Sequence, residues 1–393
     1  MSQLASSVYD SEPIPDAARA EVDALLASGD LFRYTAPTDQ PSPVARLEDE
    51  FAHLMGAKYA LALNSCSSAI FLALSALGIK PGDQVLIPAF TFAAVPSAVI
   101  HAGAHPILVE VGDDYRLDMQ DFRAKLTSTI QAVVISHMRG HTSDMDAILD
   151  LCATHNVPVV EDAAHSLGTL WNGQKIGTLG KVGCFSFQSY KMINGGEGGI
   201  LITDDEDVIA RAVIMSGAYE HNWQKHRLNI NAFAKYQNNL PLYNLRMNNL
   251  SAAIIRPQLP ELDRRISDGR ANHDYVAAQL NASPHISVPE ALPPELRAPD
   301  SIQFNLVGFS EPEARRLMEV SKSNGAAISI FGLHEDNARA FWNWKFIGNI
   351  PDLPKTRNML MRACDMRLPA RLTRPELDLI SASVLNSVRD IKG

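Results

Sequence analysis

Apolar residues recur along the chain at two spacings, and each spacing predicts a different kind of element. Residues 15–27 have helical spacing, and a second amphipathic helix follows Ser42-Pro43, with its apolar face at Val44, Leu47, Phe51 and Leu54. Beyond residue 58, short apolar runs typical of strands lie at 59–63, 84–87, 106–110, 132–136, 157–161, 183–187 and 199–203. Helices are predicted between them at 67–77, 92–101, 119–126 and 145–155. This alternation indicates an α/β domain around a largely parallel sheet, with an N-terminal helical segment.

The pattern changes near residue 250 to long helical stretches interrupted by prolines, including Pro293-Pro294. The last helix is predicted to begin after Thr373, because Glu376 stands three residues later in capping-box register. We therefore predict a large α/β domain over residues 1–255 and a smaller C-terminal α+β domain over residues 256–393.

Composition and charge restrict the class of protein. The chain has 393 residues, 46% apolar and 20% charged, which is typical of a globular protein. Its net charge of −9 argues against nucleic-acid or membrane partners. Four scattered cysteines form no CxxC pair and predict neither a metal site nor disulfides. No signal peptide or apolar run of ~20 residues is present, so a cytoplasmic location is expected.

Two of the predicted strands end in residues suited to binding a flat anionic ligand. Asn64-Ser65-Cys66-Ser67-Ser68 joins a strand to a helix, where exposed amides and hydroxyls form a natural phosphate site. Plain helix capping is the alternative. Phe92 follows another strand and could stack on a planar ring, although an aromatic residue there is more often part of the core.

Two further strand ends carry ionisable groups. Glu161, Asp162 and His165 follow a buried strand, where carboxylates are costly unless they are paired. A carboxylate there could hold a protonated ring nitrogen, and a helix-capping aspartate is the alternative. Lys191 lies between a strand and the glycine-rich run 194–199, which is not a Walker loop. A lysine there could form a Schiff base. Together these groups are what a pyridoxal phosphate (PLP) site needs.

At this point the chain resembles the DegT/DnrJ/EryC1/StrS sugar aminotransferases, which have the aspartate-aminotransferase-like PLP fold type I. The matching segments are 62–70, 87–94, 137–145, 161–168, 185–199 and 243–262. The most specific are EDAAHSLG at 161–168 and FSFQSYK with GEGG within 185–199. The resemblance implies a large domain with a mostly parallel central sheet flanked by helices, and a smaller α+β domain.

The resemblance also implies roles for particular residues. Lys191 would be the Schiff-base lysine and proton carrier, Asp162 would pair with the pyridine nitrogen, and His165 would lie near the ring hydroxyl. Phe92 would stack on the cofactor, and its phosphate would be bound by Cys66, Ser67 and Ser186. Asn244 matches an asparagine that reaches the phosphate of a neighbouring subunit, which implies a homodimer with shared sites.

The sequence departs from the family pattern at two places. The phosphate turn reads Ser65-Cys66-Ser67 where Ser-Gly-Thr is usual, so the Cys66 Cβ must suit the local backbone. Arg139 replaces an aromatic residue, and it is predicted to contact a substrate carboxylate or, alternatively, to pair with Asp144. Arg139 and His141 favour an acidic acceptor, and the loop containing His221 is a candidate specificity region whose alternative is a mobile surface loop.

The function implied is transfer of an amino group from an amino acid, glutamate or glutamine, to a keto- or aldehydo-sugar. The acceptors implied include an acidic keto-sugar such as an oxidised octulosonate. The pathway implied is amino-sugar biosynthesis for a surface polysaccharide, such as lipopolysaccharide, or for a secondary metabolite. The alternatives are a PLP-dependent sugar dehydratase or lyase, and a non-catalytic PLP-binding regulator. In the dehydratase branch of the family, histidine replaces the lysine, so the presence of Lys191 disfavours dehydration.

Overall fold

The computed structural model describes residues 8, 10–35, 40–226, 228 and 230–393. Two helices precede the sheet, α1 (Asp16–Ser28) and α2 (Pro43–Met55). Helix α2 begins as its sequence predicts, because the Ser42 hydroxyl accepts a hydrogen bond from the Ala45 amide at 3.2 Å. It ends at Gly56, whose φ of 78° is the left-handed conformation that glycine adopts at low cost. Its apolar face is buried in the main core.

Strands and helices then alternate along the chain. In order, they are β1 (Tyr59–Leu63), α3 (Cys66–Ala76), β2 (Gln84–Pro88), α4 (Ala94–His101), β3 (His105–Val109), α5 (Met119–Lys125), β4 (Ile130–Ser136), α6 (Met145–Thr154), β5 (Val159–Asp162), β6 (Leu170–Trp171), β7 (Gln174–Lys175), β8 (Val182–Ser186), β9 (Gly199–Thr203) and α7 (Glu206–Met215). All seven predicted strands are confirmed to within two residues. The helix predicted at 92–101 begins only at Ala94, so Phe92 lies in the preceding turn.

The central sheet has seven strands in the order β1-β9-β8-β5-β4-β2-β3. Strand β9 pairs antiparallel with β1 and β8, and the other strand pairs are parallel. The strands are almost wholly buried because helices cover both faces of the sheet, which explains their continuous apolar runs. The parallel arrangement brings the carboxyl ends of β4, β5 and β8 to one edge, where open α/β sheets bind ligands.

The chain continues with helices and a second sheet. The elements are α8 (Ala232–Tyr236), α9 (Asn249–Ile255), α10 (Leu262–Leu280), β10 (Ile286–Ser287), β11 (Glu295–Leu296), β12 (Ser301–Leu306), α11 (Glu311–Ser323), β13 (Ser329–Ile330), α12 (Pro354–Leu360), β14 (Ala363–Arg367) and α13 (Arg374–Lys392). Strands β10, β12, β14 and β13 form an antiparallel sheet in that order. Helix α13 begins with the predicted capping box of Thr373 and Glu376. A second hydrophobic core lies between this sheet and helices α10, α11 and α13.

The C-terminal part of the chain also contributes to the first core. Phe341, Trp344 and Met359 are buried against large-domain residues, and β11 pairs with β6. The division at residue 255 therefore stays a prediction. In the described part of the chain, no helix is both long and apolar enough to cross a bilayer.

Candidate active site

A cavity of about 420 Å³ opens at the carboxyl ends of the central strands. Its volume lies in the range of roughly 300–1,000 Å³ that is typical of sites for small molecules and cofactors. The sequence assigned seven of the lining residues to cofactor binding, and they come from four separate segments of the chain. They are Cys66, Ser67, Phe92, Asp162, His165, Ser186 and Lys191.

Asp162 ends β5 and presents a buried carboxylate to this cavity. Its Oδ2 accepts a hydrogen bond of 2.7 Å from the Ser136 hydroxyl at the end of the adjacent β4. Its Oδ1 accepts one of 3.2 Å from the Ala164 amide and lies 3.9 Å from the Cys66 thiol. The side chain is therefore held in one orientation by neighbouring strands, with an oxygen beside the open volume.

Glu161 precedes Asp162 and points to the other side of the sheet, because successive side chains of a strand alternate. Its carboxylate accepts hydrogen bonds of 2.6–2.8 Å from the amides of Gly177, Leu179 and Gly180, and lies 3.2 Å from His137 Nε2. These contacts satisfy the buried charge and fix the chain between β7 and β8. Of the two adjacent carboxylates, Asp162 therefore faces the cavity, and Glu161 stabilises the chain segment between β7 and β8.

Lys191 and His165 meet inside the cavity. The Lys191 amine lies 2.8 Å from His165 Nε2. Burial lowers the pKa of Lys191 to about 8; the carboxylate of Asp300 opposes this shift and the positive charge of Arg139 adds to it. Burial, followed by the charge of Lys191, holds the pKa of His165 well below its ordinary value, so the ring is neutral at pH 7. Lys191 is thus a hydrogen-bonded amine that loses its proton close to physiological pH.

The N-terminus of α3 forms one wall of the cavity. Ser65 caps the helix by accepting a hydrogen bond of 3.1 Å from the Ser68 amide. Ser67, in the same turn, is exposed and lines the cavity. Gly199 packs against this turn so closely that a Cβ there would lie 2.3 Å from the Cys66 nitrogen. Cys66 has a negative φ as the first residue of α3, so its side chain costs no backbone strain. The departure from glycine therefore leaves the helix N-terminus intact.

The groups that line the cavity can be compared with the groups that PLP requires for binding. An anionic phosphate fits the free amides and the Ser67 and Ser186 hydroxyls at the α3 N-terminus. A flat ring fits beside Phe92, whose side chain is 45% exposed. The fixed carboxylate of Asp162 suits a protonated ring nitrogen, and the Lys191 amine suits an aldehyde. The residues present fit the cofactor.

The predicted substrate residues lie outside this lining. Arg139 has a φ of 56° and forms an ion pair with Asp365, so the predicted alternative partner, Asp144, is wrong. Asp144 instead caps α6 through the Ala147 amide. His141 is buried, with its Nε2 3.0 Å from Gln303 Oε1. Its burial and the charge of Arg297 hold the pKa of its ring well below the ordinary value.

Two other predicted residues lie on the surface. His221 is exposed next to a short 3₁₀ helix at 222–225, and Asn244 is exposed before α9. The roles of Arg139, His141, His221 and Asn244 stay predictions.

Sequence reasoning assigned no site role to the other lining residues, among them Gln188, Tyr190, Glu197 and Arg339. Gln188 and Tyr190 stand inside the motif that contains Lys191, so the motif itself was a signal that these positions matter. Arg339 comes from the irregular segment between β13 and α12, and its Cζ lies 5.4 Å from the centre of the Phe92 ring. No local pattern marks Arg339, because its place in the cavity depends on how the C-terminal part packs against the sheet.

Comparison with known proteins identifies the family. Residues 19–385 match the model of the DegT/DnrJ/EryC1/StrS aminotransferase family. The chain is 29% identical to the spore coat polysaccharide biosynthesis protein SpsC of Bacillus subtilis, across 88% of this chain and 89% of SpsC. It is 33% identical to GDP-perosamine synthase of Vibrio cholerae, across 61% of this chain and 63% of that enzyme.

The fold agrees with this match. The crystal structure of 3-amino-5-hydroxybenzoic acid synthase is 25% identical and superposes with a TM-score of 0.84, covering 97% of this chain and 99% of that one. Enzymes of the family depend on PLP, and the cavity has the groups that PLP requires. The chain therefore belongs to the DegT/DnrJ/EryC1/StrS aminotransferase family and is a PLP-dependent aminotransferase.

Proposed function

We propose that the protein moves an amino group from an amino acid, glutamate or glutamine, to a keto- or aldehydo-sugar during amino-sugar biosynthesis. The observation that carries the proposal is the Lys191 amine, 2.8 Å from a neutral His165, in a cavity bounded by Asp162 and the α3 N-terminus. The names of SpsC and GDP-perosamine synthase support a sugar product.

PLP supplies, when bound, a carbonyl carbon that receives the donor's amine and a ring that withdraws negative charge from the reacting carbon. The other tasks fall to the chain. The α3 amides hold the phosphate, Phe92 orients the ring, and Asp162 keeps the ring nitrogen protonated. Each of these groups is fixed by its own local structure before any substrate enters.

Lys191 is the residue we propose to move protons. Because its pKa is about 8, its amine can release and take up a proton near neutral pH at little cost. The neighbouring His165 keeps this amine oriented by a hydrogen bond without adding a positive charge to the cavity. Lys191 can thus serve as the base in one half of the reaction and as the acid in the other.

For the acceptor, we propose a keto-sugar that carries an acidic group, such as an oxidised octulosonate, and a pathway to a surface polysaccharide or secondary metabolite. The support is the positive charge near the cavity, to which Arg139 and Arg339 contribute. Arg139 is already paired with Asp365, so it would contact a substrate carboxylate only through its remaining nitrogens. If Arg139→Ala left the Michaelis constants for donor and acceptor unchanged, this contact would be excluded.

We also propose a homodimer with shared sites. Asn244 lies among partly exposed apolar side chains, with exposed fractions of 36–49%, namely Phe32, Tyr219, Leu242 and Tyr243. Arg246 links this patch, because its Cζ lies 5.3 Å from the ring centre of Phe32 and 5.4 Å from that of Tyr219. Exposed patches of this kind mark protein interfaces. If sites are shared, mixing inactive Lys191→Ala and Asn244→Ala chains restores partial activity in heterodimers.

The reaction is tested by following the absorbance of the lysine-bound cofactor in the purified, PLP-loaded protein. Addition of L-glutamate or L-glutamine should convert the cofactor to its amine-bearing form within the first turnover. After the donor is removed, a panel of neutral and acidic keto-sugars is screened for one that restores the original spectrum. A PLP-loaded protein that responds to no amino donor would contradict the proposal and favour a binder without turnover.

A further inference from the structure

Arg339 occupies an unusual position in the cavity. It belongs to the irregular segment after β13 and lines the same volume as Lys191, with its guanidinium carbon 5.4 Å from the centre of the Phe92 ring. It thus reaches from the C-terminal part of the chain to the wall against which the cofactor ring fits. A guanidinium at this place can contact a ligand that occupies the cavity.

The guanidinium of Arg339 forms no direct ion pair in the described part of the chain, and the nearby carboxylate of Asp365, which is paired with Arg139, acts on it only through its charge. No side-chain hydrogen bond or ion pair joins it to another described residue, and its Nε is buried without an acceptor. Its contact with Phe92 is a cation–π interaction, which satisfies none of its N–H donors. A partly buried arginine normally pairs with a carboxylate, because leaving its donors unmatched is costly.

Neighbouring cations make this position more positive. Arg139 is paired with Asp365, whereas Arg367 stacks on the Tyr190 ring at 4.7 Å. Burial, together with the charge of Arg139, lowers the pKa of Arg339 to about 10, which is still high enough to keep it charged at pH 7. Asp162 and Glu197 also line the cavity, so the lining as a whole carries charges of both signs. The guanidinium of Arg339, which has no ion-pair partner of its own among the described residues, is the group that an anion from outside would satisfy.

We infer that Arg339 binds a carboxylate group of the substrate and so selects acidic substrates; this inference rests on the proposed amine transfer. A guanidinium matches a carboxylate because two parallel N–H donors can face its two oxygens. The carboxylate can come from the amino-acid donor or from a sugar acid. Both sources present the same group, so probes of each kind must be compared.

The test is a calorimetric titration of the PLP-loaded protein, so that the phosphate site is filled. The probes are glutarate, which resembles the donor but carries no amine, D-glucuronate, which is a sugar acid, and D-glucose as a neutral reference. The variants are Arg339→Gln and Arg339→Lys. The control is Arg316→Gln, an exposed position on α11 of the same C-terminal part. Thermal unfolding verifies that each variant is folded.

We expect Arg339→Gln to weaken binding of glutarate, of D-glucuronate or of both by about tenfold or more, and Arg339→Lys to retain part of the affinity. Arg316→Gln should bind like the unmodified protein. A loss confined to glutarate assigns the carboxylate to the donor, and a loss confined to D-glucuronate assigns it to a sugar acid. Equal affinities in the unmodified protein and Arg339→Gln, or no binding of either acid, would overturn the inference.

The titration needs no turnover, so it separates this inference from the proposed function. A protein that binds glutarate through Arg339 but transfers no amine would contradict the proposed function alone. A protein that transfers amine while its acid affinity is independent of Arg339 would contradict this inference alone.

Discussion

Two regions of the cavity differ in how they are built. The cavity floor, formed by Cys66, Asp162, Ser186 and Lys191, comes from segments that directly follow strands β1, β5 and β8. The region that we call the cavity rim combines a turn after β4 with residues from the C-terminal part of the chain, namely Arg139, Arg339, Asp365 and Arg367. Of these four, Arg339 lines the cavity itself and the other three lie next to it. The floor is set by the strand order of one sheet, and the rim by the packing of two parts of the chain.

The two regions also differ in how their charges are satisfied. In the floor, Asp162 is held by Ser136 and the Ala164 amide, and Lys191 by His165. In the rim, only the Arg139 guanidinium has a carboxylate partner in the described chain, namely Asp365. A floor whose own groups are already oriented suits a constant cofactor. A rim with unmatched donors suits a substrate that supplies the missing acceptors.

The largest effect is expected from removing the amine of the floor. Lys191→Ala should lower turnover by roughly three orders of magnitude or more, because it removes both the covalent attachment and the proton carrier. Steady-state kinetics and the cofactor absorbance measure this, and the spectrum should lose the band of the lysine-bound cofactor. Lys181→Ala, at an exposed surface lysine, is the control and should be active. Unchanged turnover in Lys191→Ala would exclude its catalytic role.

Asp162→Asn should have the next largest effect. The amide keeps the shape of the side chain and its contact with Ser136 but cannot stabilise a positive charge on the ring nitrogen. We expect turnover to fall about 100-fold, a magnitude typical of losing one preorganised electrostatic group. Ser136→Ala, which only frees the carboxylate from one hydrogen bond, should lose less. If both variants lost equally little, Asp162 would be a structural residue like Glu161.

The pH dependence of cofactor capture tests the environment of the floor. The neutral amine is the nucleophile, so the rate at which the cofactor-free protein takes up PLP should rise with pH and reach half its maximum near the Lys191 pKa of about 8. A lysine with the ordinary pKa of 10.5 would show a rise that continues beyond pH 10. Stopped-flow absorbance across pH 6 to 10.5 measures the midpoint, with ~pH 8 expected from burial.

The smallest effect should come from the rim acting on the floor. Arg139 lowers the pKa of Lys191 through its positive charge, although burial is the larger cause. Arg139→Met should therefore move the midpoint of PLP capture above that of the unmodified protein, while the maximal rate changes little. Arg316→Met is the control for loss of a distant charge. A constant midpoint would show that the rim and the floor are electrostatically independent, and a midpoint that fell would contradict the expected sign of the effect.

The strands and the floor residues were predictable because the sequence patterns that mark them span only a few consecutive residues. Each strand is an uninterrupted apolar run, and Asp162, Lys191 and Ser65 follow such runs directly. The predicted partner of Arg139 was wrong for the opposite reason. Asp144 is near in sequence, but it is needed to cap α6, whereas Asp365 is brought close by pairing of β14 with β12. His141, whose substrate role stays a prediction, also has its contact far away in sequence, at Gln303 of β12.

The sequence by itself determined the α/β class, the order of the strands along the chain, the family and the residues of the floor. These features could be predicted because hydrophobic periodicity and the motifs at strand ends involve residues that are close together in the sequence. Only the tertiary structure decided which groups satisfy the Glu161 carboxylate, what Arg139 pairs with and that Arg339 lines the site. Those outcomes depend on contacts between distant segments, such as Arg139 and Asp365, which are 226 residues apart. Such contacts form only when both sheets and their helices pack together.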